Sequence, residues 1–307
     1  MPGLIVPRLL ARLGITPQGN KIGPLSSFEN QTDLQQRIGA SALLTDPYPH
    51  FVTENVLSAP MLRDFNTYWP QRSDFVPEIA HTYVSEIVHN DLGDRRKRDF
   101  WHDISRTVAR EIGAAAAIKF RPWIAARFGA DIDVLFARIT LMESDASYAG
   151  HGCHTHHYHN PGWVGTLLLY VDDVATGHPG TTIMRYTEGG VEAQAKMAAR
   201  TLLWYDESNI VVVKTVDYRQ NRLFGFMDSP ISYHCVGSAA PDAVGNRRIF
   251  RIHLSVPKSA ATKPYGVSIK EYVARRSEPT EAPQVVGWLA NDIAQLEEQS
   301  RKVRAFA

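Results

Sequence analysis

Cysteine is nearly missing from this chain of 307 residues: there are two, Cys153 and Cys235. Two thiols cannot build a disulfide framework, and neither sits in a Cys-x-x-Cys pair, so a zinc ribbon or a dithiol redox motif is excluded as well. Such sparing use fits a reducing compartment and leads us to expect a cytoplasmic protein. An excess of charge of one sign is also lacking. Lys and Arg number 33 against 32 Asp and Glu, a net charge of +1, which removes any global electrostatic pull toward nucleic acid or an anionic membrane. The one basic run, Arg95-Arg96-Lys97-Arg98, is short and has no interleaved aromatics, so it reads as a solvated helix start. No apolar run approaches bilayer-spanning length. Met1 to Gly14 carries Leu4-Ile5-Val6 and Leu9-Leu10, but Pro7, Arg8 and Arg12 interrupt them, and no small-residue cleavage site follows. Internal repeats and low-complexity linkers are missing too.

What the chain does have is apolar content, 44%, ample for a buried core, and a crowd of histidines. Five of its twelve fall within His151-Gly152-Cys153-His154-Thr155-His156-His157-Tyr158-His159. Neutral imidazole is the commonest metal ligand near pH 7, so this density points to a metal. In a strand, residues i and i+2 share a face. His154 with His156, or His157 with His159, can therefore grip one ion from one strand end. His234, in Ser232-Tyr233-His234-Cys235-Val236, is the candidate third ligand. Two ligands at i, i+2 plus one distant ligand is the logic of a non-haem iron facial triad, which leaves positions open for substrate and oxygen. The two cysteines flank these segments and read as packing neighbours.

The rest of the chain supplies a frame. Residues 15–40 are polar and read as a lead-in. Asp46-Pro47-Tyr48-Pro49-His50-Phe51-Val52 favours an extended path, Ser58 is a fair helix cap, and Met61 to Trp69 has helical spacing before Pro70. From Phe100 to Phe128, Trp101, Ile104, Val108, Ile112, Ala115, Ile118 and Trp123 recur at three- and four-residue steps, which predicts one long packing helix. From Val134 the texture becomes β: 134–142, 166–171, 181–184, 201–205, 210–216, 223–227 and 249–256 read as short strands separated by turns, the signature of a sandwich or barrel. Residues 257–282 read as irregular, and 284–303 as a last amphipathic helix. The expected plan is mainly β with flanking helices: an α-rich support over 1–133, a β core over 134–257 and a helical tail over 258–307, in one compact unit.

Taken in order, His157-Tyr158-His159-Asn160-Pro161, Thr166 to Val171, Gly180-Thr181-Thr182, Asn221-Arg222-Leu223-Phe224-Gly225-Phe226, His234 and Asn246-Arg247-Arg248-Ile249-Phe250-Arg251 resemble the iron- and 2-oxoglutarate-dependent oxygenases of the prolyl-hydroxylase-like branch. The opening Asp46 to Phe51 is similar to the lead strand of small members. The resemblance covers roughly residues 43–257. It implies a double-stranded β-helix, a jelly roll with helices on its outer face. It also implies a mononuclear Fe(II) centre that uses O2 and 2-oxoglutarate to oxidise a small molecule, with no role for nucleic acid or membrane.

One departure from the family pattern stands out. The carboxylate of the family's His-x-Asp pair is replaced: the ligand set implied is His157, His159 and His234, with His154 and His156 as the other register of the pair. Three neutral ligands leave the iron its full 2+ charge, which strengthens binding of anionic co-ligands. Three-histidine iron sites also serve dioxygenases that use no 2-oxoglutarate, so the substitution bears on the cosubstrate more than on the metal. The alternatives are thus a three-histidine dioxygenase without 2-oxoglutarate, or a non-catalytic metal-binding jelly roll.

The cosubstrate question turns on the last strand. Arg247, Ile249, Arg251 and His253 share one face; Arg248, Phe250, Ile252 and Leu254 share the other. The second set is more apolar and should pack outward, which leaves the first inside. An interior guanidinium needs a carboxylate partner. By the resemblance, Arg247 and Arg251 anchor the distal carboxylate of 2-oxoglutarate. The competing partner is an acid of the chain itself. Thr182 is a further candidate contact, with Trp163, Tyr148 and Tyr233 on the substrate side.

Overall fold

The structure is a computed structural model that describes residues 20–22, 32–79, 82–85, 92–133, 135–145, 150–155, 161–172, 176–187, 189–199, 209–276 and 283–305. A short strand, β1 (Asn20–Ile22), precedes α1 (Asp33–Ala40). This helix lies in the polar stretch expected to be a lead-in. It forms because Thr32 and Gln35 make a reciprocal capping box that satisfies two otherwise orphaned N–H groups. After β2 (Leu43–Leu44) and β3 (His50–Thr53), Ser58 caps α2 (Ala59–Thr67) as its sequence suggests. An antiparallel pair that the pattern did not reveal follows, β4 (Val76–Ile79) and β5 (Thr82–Ser85).

The long helix expected over 100–128 is two helices. Asp94 caps α3 (Arg95–Arg106), and α4 (Val108–Phe128) begins after Thr107, whose φ of −108° and ψ of −84° leave the helical region. The apolar steps run unbroken across this joint because both helices cover one sheet. Trp101 of α3 stacks on Phe250 at 5.9 Å, and Phe120 of α4 meets Phe51 at 5.7 Å. The basic run 95–98 is the first turn of α3; Arg95 pairs with Asp99 in solvent.

Eight further strands make the core: β6 (Leu135–Ser144), β7 (His151–His154), β8 (Trp163–Tyr170), β9 (Thr181–Tyr186), β10 (Ile210–Val216), β11 (Leu223–Phe226), β12 (His234–Val236) and β13 (Arg247–Ser255). In space they form two four-stranded antiparallel runs, β11-β8-β13-β6 and β10-β9-β12-β7. The chain crosses between the runs at nearly every step. That connectivity is the double-stranded β-helix, or jelly roll. The first run is widened by β3 and β2 beside β11, and by β1, β5 and β4 beyond β6. A helix absent from the sequence reading, α5 (Val191–Ala199), bridges β9 to β10. The stretch 257–282 is not wholly irregular, since it holds a 3-10 turn at Lys263–Tyr265 and α6 (Ile269–Arg276). The last helix, α7 (Pro283–Ala305), packs on α4 and α5. The strand expected over 201–205 lies outside the described residues. Among the described residues, no helix is long and apolar enough to cross a membrane.

The alternation of the strands divides the core in two. Leu167, Leu169, Phe250, Ile252 and Leu254 point outward into the layer under the helices. Leu168, Tyr170, Ile183, Val216, Phe224, Phe226 and Ile249 point inward, joined by Tyr48. As expected, the inner face of β13 is the one that carries Arg247 and Ile249.

Candidate active site

His234 opens β12 and is buried, 3% exposed. Its register partner across the ladder is His154, the last residue of β7. The two imidazoles face each other with ring centres 4.3 Å apart. His234 Nδ1 lies 2.8 Å from the Ser232 carbonyl. A carbonyl can only accept, so this contact places the proton on Nδ1 and leaves the Nε2 lone pair for a metal, the usual way a second partner orients a ligating histidine. Cys153 and Cys235, one step along each strand, turn to the opposite face, in or against the outer core. His156, His157 and His159 lie outside the described residues. Among those described, His154 and His234 have no third His, Cys, Asp or Glu beside them that completes a metal-binding group.

Toward the other end of the barrel lies Arg247, 4% exposed. Its Nε donates to the Pro179 carbonyl at 2.9 Å, and its guanidinium sits 5.8 Å from the Tyr170 ring centre and 5.9 Å from that of Tyr218. Its Nη2 is buried without a hydrogen-bond partner among the described residues. A buried guanidinium N–H left unmatched is costly, and an anion at this corner would relieve that cost. The Tyr170 hydroxyl donates to Thr181 Oγ1 at 2.9 Å. Burial raises the pKa of both tyrosines, so they stand as neutral walls. Thr181 and Ile183 are two residues apart on β9, and Ile183 is the register partner of His234. The anion corner and the histidine pair are thus separated by roughly 7 Å of strand, a gap that a five-carbon dicarboxylate can bridge.

The other cosubstrate candidates sit differently. Arg251 is on the inner face but close to Asp228, whose carboxyl it pulls downward. Asp228 is thus an acid of the chain itself within electrostatic reach of Arg251. Thr182 pairs with Thr215 across the outer face of the small sheet, Oγ1 to Oγ1 at 3.1 Å; by the alternation of β9, Thr181 takes the inward place, beside Tyr170. Arg248 faces out and pairs with Glu143 at 2.9 Å and Asp172 at 3.5 Å. Tyr233 is buried in the outer core, and Tyr148 lies outside the described residues.

Sequence reading missed Asp228. It follows β11, is fully buried, and accepts from the Thr166 hydroxyl at 2.9–3.0 Å. His253 Nδ1 reaches the same hydroxyl at 3.1 Å, and Trp163 stacks on the His253 ring at 4.2 Å. Burial pushes the Asp228 carboxyl up to about 7, with the Thr166 hydrogen bond and the charges of Arg127 and Arg251 pulling the other way. The signal was there in principle, an acid ending an apolar strand, but burial of that acid depends on partners far away in sequence.

No protein-family model and no curated protein matches the sequence. Similar solved structures include an oxidoreductase of the 2OG-Fe(II) oxygenase family from Burkholderia pseudomallei (11% identity, 67% of this chain and 84% of that one, TM-score 0.42). A prolyl hydroxylase from Trichoplax adhaerens in complex with a hypoxia inducible factor peptide is similar at 12% identity (75% and 90%, TM-score 0.41). Prolyl 4-hydroxylases from Phytophthora capsici are similar at 13% (89% and 85%, TM-score 0.43).

Proposed function

We propose that the chain is a mononuclear non-haem iron oxygenase that uses 2-oxoglutarate and O2 to oxidise a small molecule in a reducing, cytoplasmic setting. The observation that carries this reading is the pairing inside one barrel of facing histidines with a buried arginine whose Nη2 has no partner. Iron would be held by His234 and by histidines of the 154–159 segment. Of the two registers, His157 with His159 and His154 with His156, the second is supported by the 4.3 Å approach of His154 to His234; His156 would follow on the same strand face. Arg247 would take the distal carboxylate of 2-oxoglutarate, a role the sequence assigned to Arg247 and Arg251 together. The deep burial of Arg247 and its place between Tyr170 and Tyr218 support it over Arg251, which lies within electrostatic reach of Asp228.

Bound iron and 2-oxoglutarate together supply the oxidising equivalents from O2. The chain's own residues position and exclude. The Ser232 carbonyl fixes the tautomer of His234. The Tyr48 hydroxyl, kept protonated by burial, donates to the Tyr233 carbonyl at 2.9 Å and so anchors the start of β12. Tyr170 and Tyr218 wall the arginine from water, which strengthens its attraction for a carboxylate. Phe224, Phe226 and Ile249 line the space between.

The test is an anaerobic titration of the Fe(II)-loaded protein with 2-oxoglutarate, followed by the visible band of an iron-chelated keto acid. We expect saturable binding in the wild type and in Arg251→Leu. In Arg247→Leu, loss of a buried charge-assisted pair should weaken it by about 2–5 kcal/mol with iron content unchanged. A protein that binds iron but gives no band at any concentration would point to a three-histidine dioxygenase without 2-oxoglutarate.

A further inference from the structure

A cavity of about 290 Å3 opens beside the barrel rim, where the 45–47 loop, the end of β9, residues 231–233 and the outward face of α7 meet. It is unlike the barrel interior. Its apolar lining is Pro47, Tyr186, Ile231, Tyr233 and Leu296, the last three buried. Its polar lining holds three guanidinium groups, Arg185, Arg301 and Arg304, against the carboxylates of Asp46 and Glu297. Asp46 is already taken by Arg185, Nη2 to Oδ2 at 2.6 Å, and Arg304 makes one hydrogen bond to the Thr45 hydroxyl at 3.3 Å. Arg301 makes no hydrogen bond or ion pair with the described residues. Residues 297, 301 and 304 fall on one face of α7 by their spacing of four and three, so two guanidinium forks are presented side by side.

The cavity shares walls with the histidine site. Tyr233, whose ring lies on the cavity side, immediately precedes His234. Arg185 lies two residues beyond Ile183, the register partner of His234, roughly 7 Å along the strand.

We propose that this cavity is a binding site for a small organic anion, a carboxylate carried on an apolar body. Guanidinium forks match a planar carboxylate bidentately. The floor formed by Ile231, Tyr233 and Leu296 gives a compact carbon skeleton a surface to rest on beside the guanidinium groups. The volume is near the lower end of ligand cavities, roughly 300–1,000 Å3, and so calls for a compact molecule.

The experiment titrates the full-length chain, with and without added Fe(II), with 3-phenylpropionate and with its neutral amide, by calorimetry. We expect one saturable site for the acid under both conditions, and an amide affinity at least tenfold weaker. Arg301→Gln with Arg304→Gln, both at exposed helix positions, should weaken the acid at least tenfold. Glu297→Gln removes the opposing charge and should tighten acid binding severalfold, a gain that a damaged fold does not produce. No saturable binding, equal binding of acid and amide, wild-type affinity in the double variant, or unchanged or weaker binding in Glu297→Gln would each overturn the proposal. Because binding is also read without metal, these outcomes are independent of whether the chain holds iron.

Discussion

Two imidazoles whose ring centres lie 4.3 Å apart in a protein interior must share something, and for His154 and His234 the tautomer imposed by Ser232 leaves a lone pair directed away from the backbone. A metal ion fits that need, and the ligand count can be tested residue by residue. Iron retained after dialysis should fall sharply in His234→Ala and His154→Ala, since loss of one of three protein ligands guts a site of this kind. His156→Ala should behave alike, whereas His157→Ala and His159→Ala should retain iron; the reverse pattern would restore His157 and His159, the register implied by the resemblance. Asp228 offers a second test, through pH. Its carboxyl moves from an ordinary 3.8 to about 7 on folding. Between those values the folded chain holds a proton that the unfolded chain has lost, so this group makes stability fall as pH rises from about 4 to 7, with little change above. At about 1.4 kcal/mol per unit, the span is a few kcal/mol. Asp228→Asn cannot titrate, so its urea midpoint should change less than that of the wild type between pH 5 and pH 8. Parallel pH curves for the two proteins would show that Asp228 titrates normally.

Among the elements, those with one buried and one differently buried face were the ones the sequence disclosed. The two faces of β13 were readable because arginines alternate with Phe250, Ile252 and Leu254, and β8 because a short apolar run bounded by turn residues suits a strand buried on both sides. What failed was punctuation. The break at Thr107 leaves no gap in the apolar steps, α1 announces itself only through its capping box, and α6 lies among polar residues. Thr182 shows a different limit: the strand start at 181 was readable, but which of its two faces turns inward is set by its partners in β10 and β12, far away in sequence. One glycine shows how tightly the elements meet. Gly225, in β11 between β3 and β8, has no room for a Cβ, which would overlap the Phe51 ring and press on Leu167. Phe51 cannot yield, since Phe120 and Lys119 pack on it. Gly225→Ala should therefore cost about 1–3 kcal/mol in urea unfolding, and Phe51→Leu in the same chain should recover part of that. Wild-type stability in the single variant would mean that β3 is free to shift.

At the scale of the whole molecule, the question is what binds the barrel to the helices at its two flanks. Apolar packing does most of it, but one polar junction spans all the parts. Arg127, near the end of α4, is buried with Asp292 of α7, Nε to Oδ1 at 2.9 Å. Its Nη2 donates to the Tyr265 hydroxyl at 2.9 Å, and that hydroxyl donates in turn to Asp292 Oδ2 at 3.1 Å. Its Nη1 reaches the carbonyls of Asp228 and Trp163, at 3.3 and 3.4 Å, at the end of the barrel that holds the histidines. Burial opposes the charge on Arg127, and Asp292 and Tyr265 more than offset it. A junction of this kind adds little relative to well-packed apolar residues, but it is severe to break from one side, because the remaining charge has no water to turn to. Asp292→Asn and Arg127→Met should each cost about 3–5 kcal/mol in urea unfolding. The double variant Arg127→Met with Asp292→Leu should cost clearly less than the two single costs combined, and the double-mutant cycle measures the difference. Because Arg127 also holds the carbonyls of Trp163 and Asp228, either single variant should weaken iron retention along with stability. Single costs below about 1 kcal/mol, or costs that simply add, would mean that α7 rides on the barrel through apolar contact alone and that the histidine end of the barrel is shaped without it.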